Sequence, residues 1–345
     1  MLSRILPLTA LLIVSLMTGR ADASAFDPVI AAPQSSDQPS AVEPAADTSA
    51  IAEVIDQVEN QPAVESDFGS PLTLAFLICA VLSLILVLRK RLWRIRSGRG
   101  PDWPMASEHP LLGWIVFLLA GVLAPLVVMK LLGDVETSLR VTGLLMISSY
   151  TAQGIVLVVI CRKLLNARHQ RSSLSGILPE PESFFRSIAF GAVAFLLVFP
   201  LAQSVGMVVG FLQRQLTGTP PELVAHETLK ALQESPGDPW VLVIMGLVVV
   251  AAPITEEFAY RGLVQQGFRK LGGSRTGAVL LTSFLFVFMH LTALPEASRY
   301  SGIATLLTLS LVLGWLFERT GRLAAPITLH ALFNIANLLL AEYLI

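Results

Sequence analysis

The side chains in this sequence that are best suited to chemistry are polar groups embedded in long apolar stretches. They are Glu256, Glu257, Arg261, His290, His330 and Asn334. A charge near the middle of a bilayer costs roughly 2.5–3.5 kcal/mol on insertion scales, so a cluster of such residues inside membrane helices predicts a functional site. A carboxylate and a histidine on either side of a water molecule form a general base, and the activated water can attack a carbonyl carbon. Hydrolysis is therefore one chemistry that this set could perform.

Helical spacing predicts which of these side chains act together. Glu256 and Glu257 are adjacent and point about 100° apart on a helix, whereas Glu257 and Arg261 are four residues apart and share a face. We expect an ion pair between Glu257 and Arg261, which leaves Glu256 to face a cavity. His330 and Asn334 are also four residues apart, and this pair of hydrogen-bond donors could stabilise an oxyanion.

The expected depth of each residue in the membrane gives a second test. A glycine turn at 272–273 separates two apolar stretches; Glu256 lies 16 residues before it and His290 lies 17 residues after it. At about 1.5 Å per residue the two side chains reach nearly the same height, so a direct or water-mediated contact is allowed. The same count places His330, which is only eight residues after Arg322, about 10 Å nearer the inner side, unless the inner loop before it sits higher.

The residue types leave several alternatives open. Glu256, His290 and His330 could supply three ligands to a zinc ion, with water in the fourth position. Each residue could equally have a structural role, because a histidine in a span often only hydrogen-bonds a neighbour. No Ser or Cys carries a local nucleophile signature and no HExxH pattern occurs, so covalent catalysis and a zincin site have no support. Pro253, one turn before the glutamates, could kink its helix or expose carbonyl groups to a wet cavity.

The elements that must position these residues are membrane-spanning helices. The chain has 345 residues, of which 54% are hydrophobic and 14% charged, whereas soluble domains are about 45–50% apolar and about 25% charged. The excess lies in blocks long enough to cross roughly 30 Å of hydrocarbon, which excludes a soluble enzyme. We predict an all-α, polytopic transmembrane helical bundle with about eight spans after a signal peptide. The spans are Leu72–Leu88, Leu111–Leu132, Val141–Ile160, Ile188–Leu212, Val241–Gln265, Thr276–Leu291, Gly302–Phe317 and Leu323–Leu344.

The first 69 residues differ from the rest of the chain. Residues 1–23 contain an apolar run and end in the small-x-small sequence Ala21-Asp22-Ala23, which predicts a signal peptide cleaved after Ala23. An uncleaved anchor is the alternative, although the run is short for a span. Residues 24–69 carry nine acidic and no basic residues, and this composition predicts a disordered, exported tail.

The distribution of charge predicts the orientation. With the acidic tail outside, the inner loops hold 16 basic residues and the outer side holds five, as the retention of basic loops requires. Both ends of the mature chain then face outward from a bacterial inner or cell membrane. A basic cluster at 89–99 is either an orientation signal or a contact with anionic lipid. The net charge of −1 favours no nucleic-acid partner, and Cys79 and Cys161 have neither disulfide nor metal-site spacing.

Three short motifs in the last four predicted spans resemble those of a known family. The sequence contains EExxxR from Glu256 to Arg261, FxxxH from Phe286 to His290, and HxxxN from His330 to Asn334. In this order the motifs resemble those of the CPBP intramembrane proteases, which include the type 2 CAAX prenyl endopeptidases and related bacterial Abi proteins. The resemblance covers roughly residues 240–338.

The resemblance implies a role for each matching residue. Glu256 and His290 would activate water, and His330 with Asn334 would form the oxyanion site. Structural support would come from Glu257, Arg261 and Phe286. The family has been described both as metal-dependent and as glutamate-dependent, so no cofactor is certain and zinc stays an alternative.

The resemblance also implies an organisation and a function for the chain. Three N-terminal transmembrane helices in 70–175 would precede a protease core in 176–345, with the motifs in 253–334. The implied function is an integral-membrane endopeptidase acting on membrane-associated peptides or proteins at or within the bilayer. The alternatives are a non-catalytic peptide-binding or bacteriocin-immunity-type protein, and a transporter or proton channel.

Overall fold

A computed structural model describes residues 71–90, 108–133, 135–136, 138–166, 181–218 and 237–344. The predicted leader (1–23), the acidic tail (24–69) and residues 91–99 of the basic cluster lie outside the described residues. The signal peptide and the disordered tail therefore stay predictions.

The described residues form helices and contain no strand. Eight helices among them are long and apolar enough to cross a membrane, which confirms the predicted fold class. They are α1 (Pro71–Arg89), α2 (Glu108–Leu132), α3 (Leu139–Asn166), α4 (Pro181–Thr217), α5 (Pro239–Gly272), α6 (Arg275–His290), α7 (Arg299–Thr320) and α8 (Ala324–Leu344).

Two short turns pair the helices that carry the motifs. Gly273 (φ 68°) ends α5 and Gly321 (φ 67°) ends α7, both in the left-handed conformation that glycine adopts without a steric penalty. Ser274 then caps α6 by accepting a hydrogen bond from the Gly277 amide at 3.1 Å. Each turn is too short for anything but an antiparallel neighbour, so α5 lies beside α6 and α7 beside α8.

Two apolar cores hold the bundle together. One joins α4, α7 and α8, where Ala202, Leu313 and Leu329 are fully buried. The other joins α2, α3 and α5 to α6 and α7, and includes Phe117 and Leu157. Long apolar side chains elsewhere stay exposed, mostly on α1 to α4, as lipid-facing helices require.

Helix α5 is not a regular α-helix. Two π-helical segments, Leu247–Ala251 and Phe258–Val264, flank the α-helical segment Ala252–Glu257 that carries both glutamates. Pro253 lies at the start of this α-helical segment. The helix is therefore irregular next to Pro253, where the preceding turn is a π turn. Such π turns occur frequently at functional sites.

Candidate active site

A buried ion pair lies next to the candidate site. Arg261 Nη1 donates to Glu257 Oε1 at 3.0 Å, and both side chains are 0% exposed. Arg261 Nη2 also donates to the Ser310 hydroxyl at 2.9 Å and to the Ser310 carbonyl at 3.2 Å. The pair expected from the four-residue spacing is thus present, and it links α5 to α7.

The same carboxylate holds a histidine of α8. His330 Nδ1 lies 2.9 Å from Glu257 Oε1. Because a carboxylate paired with an arginine only accepts hydrogen bonds, Nδ1 carries a hydrogen, and Nε2 is the ring nitrogen that faces Glu256. His330 Nε2 lies 4.0 Å from Glu256 Oε2.

The depth of His330 agrees with the alternative in which the inner loop before it sits higher. Counting from Arg322 placed the ring about 10 Å from the level of Glu256, whereas the structure places the two side chains side by side. The reason is that the beginning of α8 is buried, with Leu323 4% and Ala325 0% exposed. Helix α8 begins inside the protein, so its residue count does not start at the membrane boundary.

His290 approaches Glu256 from the end of α6. Its Nδ1 donates to the Phe286 carbonyl at 2.7 Å, and its ring packs on the Phe286 ring with centroids 4.2 Å apart. A carbonyl only accepts, so Nδ1 carries the hydrogen and Nε2 presents a lone pair. That Nε2 lies 3.8 Å from Glu256 Oε2.

Phe286 is the buried partner that orients these groups. It is 1% exposed, and its ring contacts the rings of Tyr260 (4.9 Å) and His330 (6.2 Å) as well as that of His290. The Arg261 guanidinium also lies 5.0 Å from the Phe286 ring centroid. Truncation at this position would loosen both histidines at once.

The result is a cluster of polar side chains from three helices. Glu256 is 20% exposed and His290 27%, whereas Glu257 is fully buried. The separations of 3.8 and 4.0 Å from Glu256 to the two Nε2 atoms exceed a direct hydrogen bond, so a bridging group such as water suits them. Glu256 is the accessible carboxylate of the two, as the face argument predicted.

Asn334 occupies a different position from the histidines. Its Nδ2 donates to the carbonyl of Val248 in the first π segment of α5 at 2.8 Å. One of its two amide hydrogens is therefore engaged by α5, and its catalytic role stays a prediction.

The residues proposed as zinc ligands are of types that bind zinc, but the distances between them are longer than in a zinc site. Each Nε2 is free while its Nδ1 is held by an acceptor, which is the pattern of metal-bound histidines. Tetrahedral zinc with bonds of about 2.0–2.1 Å brings its ligands about 3.4 Å apart, closer than the 3.8 and 4.0 Å found here. Within the described part of the chain no three His, Cys, Asp or Glu side chains are arranged to hold a metal ion.

One residue beside the site was missed by the sequence analysis. Tyr150 of α3 is partly buried and interacts electrostatically with the Glu256 carboxylate. Helix α3 packs on α5, where a Cβ at Gly143 would overlap the Trp240 ring, and Tyr150 follows Gly143 by two turns on the same face. The polar run from Ser148 to Thr151 in an otherwise apolar span was the available signal.

Fold and site together define an integral membrane protein with a polar, partly exposed cluster of side chains between its helices. Residues 238–336, from α5 into α8, match the family model described as Type II CAAX prenyl endopeptidase Rce1-like. This match confirms the resemblance read from the three motifs over that segment, and it supports a membrane-embedded protease. No curated protein and no solved structure matches the chain.

Proposed function

We propose that this protein is an intramembrane endopeptidase in which Glu256 activates water. The observation that carries the proposal is the convergence of Glu256, His290 and His330, from three helices, on one point within the apolar spans. Only Glu256 of the two glutamates is accessible, because Glu257 is engaged by Arg261 and His330.

The proposed reaction needs one proton acceptor that later becomes a donor. Glu256 takes a proton from water while the water oxygen attacks the carbonyl carbon of the peptide bond. The tetrahedral intermediate then collapses, the C–N bond breaks, and Glu256 returns the proton to the leaving amine. The products are a carboxylic acid and an amine, so no further reactant is required.

The three side chains around this point divide the remaining roles. Glu256 and His290 Nε2 accept the two hydrogens of the water. His330, whose ring is held by Glu257 and whose Nε2 faces the same point, is the residue that we assign to the oxyanion.

We propose membrane-associated peptides or proteins as the substrates. The matched family description names prenylated CAAX sequences, but a leader at 1–23 and an exported acidic tail at 24–69 would suit a bacterial envelope protein, where prenylated substrates are not expected. We further propose that both ends of the mature chain face outward, because the predicted inner loops carry most of the basic residues. N-terminal sequencing of the purified protein would test cleavage after Ala23.

The test uses the full chain in liposomes with two quenched fluorogenic peptides. One ends in a farnesylated CAAX sequence and the other is an unmodified apolar sequence. Glu256→Gln should abolish hydrolysis of whichever peptide is cleaved. Glu296→Gln, at an exposed glutamate outside the site (91% exposed), is the matched control and should retain wild-type turnover.

Three outcomes would contradict the proposal. Full activity of Glu256→Gln would remove the general base. Saturable peptide binding without hydrolysis, unaffected by Glu256→Gln, would favour the peptide-binding or immunity-type alternative. Proton or solute uptake by the same liposomes would instead favour a transporter or channel.

A further inference from the structure

Helix α5 contains a carbonyl group that its own backbone cannot satisfy. In the first π segment the Ala252 amide donates to the Leu247 carbonyl, five residues earlier. The next bond of this pattern would run from residue 253 to the Val248 carbonyl, but Pro253 has no N–H. The π segment ends at this point, and Val248 O requires a donor from outside the helix.

Asn334 of α8 supplies that donor. Its Nδ2 lies 2.8 Å from Val248 O. One turn earlier in α8, His330 is held by Glu257 at 2.9 Å. Helix α8 therefore bonds α5 at two points, at Val248 before the segment that carries the glutamates and at Glu257 where that segment ends.

The π turn determines where Glu256 points. It contains one residue more than an α-helical turn, so it rotates every later residue by roughly 100° about the helix axis. Glu256 follows directly after this turn and faces the Nε2 atoms of His290 and His330. Relaxation of the turn to regular α-helix would rotate the carboxylate away from both rings.

We propose that Asn334 is a positioning residue. Its amide replaces the N–H that Pro253 lacks, stabilises the π turn, and thereby directs Glu256 toward the two histidines. This role differs from the oxyanion contact that the family resemblance implies for the same residue. The inference rests on the proposed function for its kinetic measurement and on the fold alone for its stability measurement.

A double-mutant cycle tests the proposal, with kcat, KM and Tm measured in detergent micelles for Asn334→Ala, Pro253→Ala and the double variant. Asn334→Ala should lower kcat about tenfold with KM within about twofold, and should lower Tm, because the partly buried Val248 carbonyl loses its donor. Alanine at 253 restores a backbone N–H. In that background Asn334→Ala should therefore lose most of both effects, whatever Pro253→Ala does by itself.

Asn337 provides a matched control on the same helix. It accepts a hydrogen bond from Gln203 of α4 at 2.6 Å, so Asn337→Ala should cost the same Tm with proline or alanine at 253. If Asn334→Ala lowers Tm by the same amount with proline and with alanine at position 253, the proposal is overturned. A Tm loss that is rescued while the kcat loss is not would overturn the positioning role and assign Asn334 to the reacting atoms. Should the wild type show no hydrolysis, the proposed function fails, and the Tm cycle still decides this inference.

Discussion

Replacing each of the adjacent glutamates by glutamine should separate activity from stability. Both substitutions keep the shape of the side chain and remove one negative charge. Glu256 is 20% exposed and approaches its histidine partners only to 3.8 and 4.0 Å. Glu257 is 0% exposed and binds Arg261 at 3.0 Å and His330 at 2.9 Å.

The structure predicts different changes in unfolding free energy and in kcat for the two variants. Breaking a buried ion pair by removing one charge costs about 3–5 kcal/mol. We expect Glu257→Gln to cost about 3 kcal/mol, the lower end, because Arg261 keeps both contacts with Ser310. Glu256→Gln should change the free energy of unfolding by less than about 1 kcal/mol, yet lower kcat by about 10²–10⁴-fold as the loss of a general base requires.

The assay is equilibrium unfolding in mixed micelles with increasing SDS, followed by far-UV circular dichroism, in parallel with peptide hydrolysis. Glu296→Gln serves again as the control for surface charge. Equal destabilisation by the two site variants would refute the assignment of separate structural and accessible carboxylates. So would full hydrolytic activity in the Glu256→Gln variant together with loss of activity in Glu257→Gln.

Two further predictions concern the surroundings of the site and its metal content. Glu318→Gln should cost about 1–3 kcal/mol of unfolding free energy with unchanged KM, because the buried carboxylate accepts from Gln265 at 3.0 Å and faces two arginines. Peptide hydrolysis should survive 1,10-phenanthroline, measured with the zinc content of the purified protein; inhibition reversed by added zinc would identify a metal enzyme.

Much of the fold follows from composition and helical periodicity alone. The eight apolar blocks correspond to α1–α8, and each helix extends its predicted span by a few residues or matches it closely. The reason is that a bilayer admits only helices of sufficient length in such a chain. The Glu257–Arg261 pair was likewise predictable, because four-residue spacing on one helix fixes a shared face.

Contacts between helices were harder to predict. The position of His330 depended on how deeply the α7–α8 turn is buried, which no residue count contains. The first π segment of α5 involves a cross-helix bond to Asn334 and the missing amide of Pro253, two residues that are 81 positions apart in the sequence. Tyr150 was missed because the candidates were chosen by the insertion cost of their charge, and an uncharged side chain in a span has little such cost.

Because α2 and α3 pack against α5, we expect that residues 238–336 do not form an independent structural unit. Phe117 of α2 and Leu157 of α3 cover the apolar side of α5. A chain cut down to the matched segment would leave that side of α5 facing lipid. Exchange or removal of the first three helices should therefore change the packing around the α5 segment that carries the glutamates, and not only the length of the bundle.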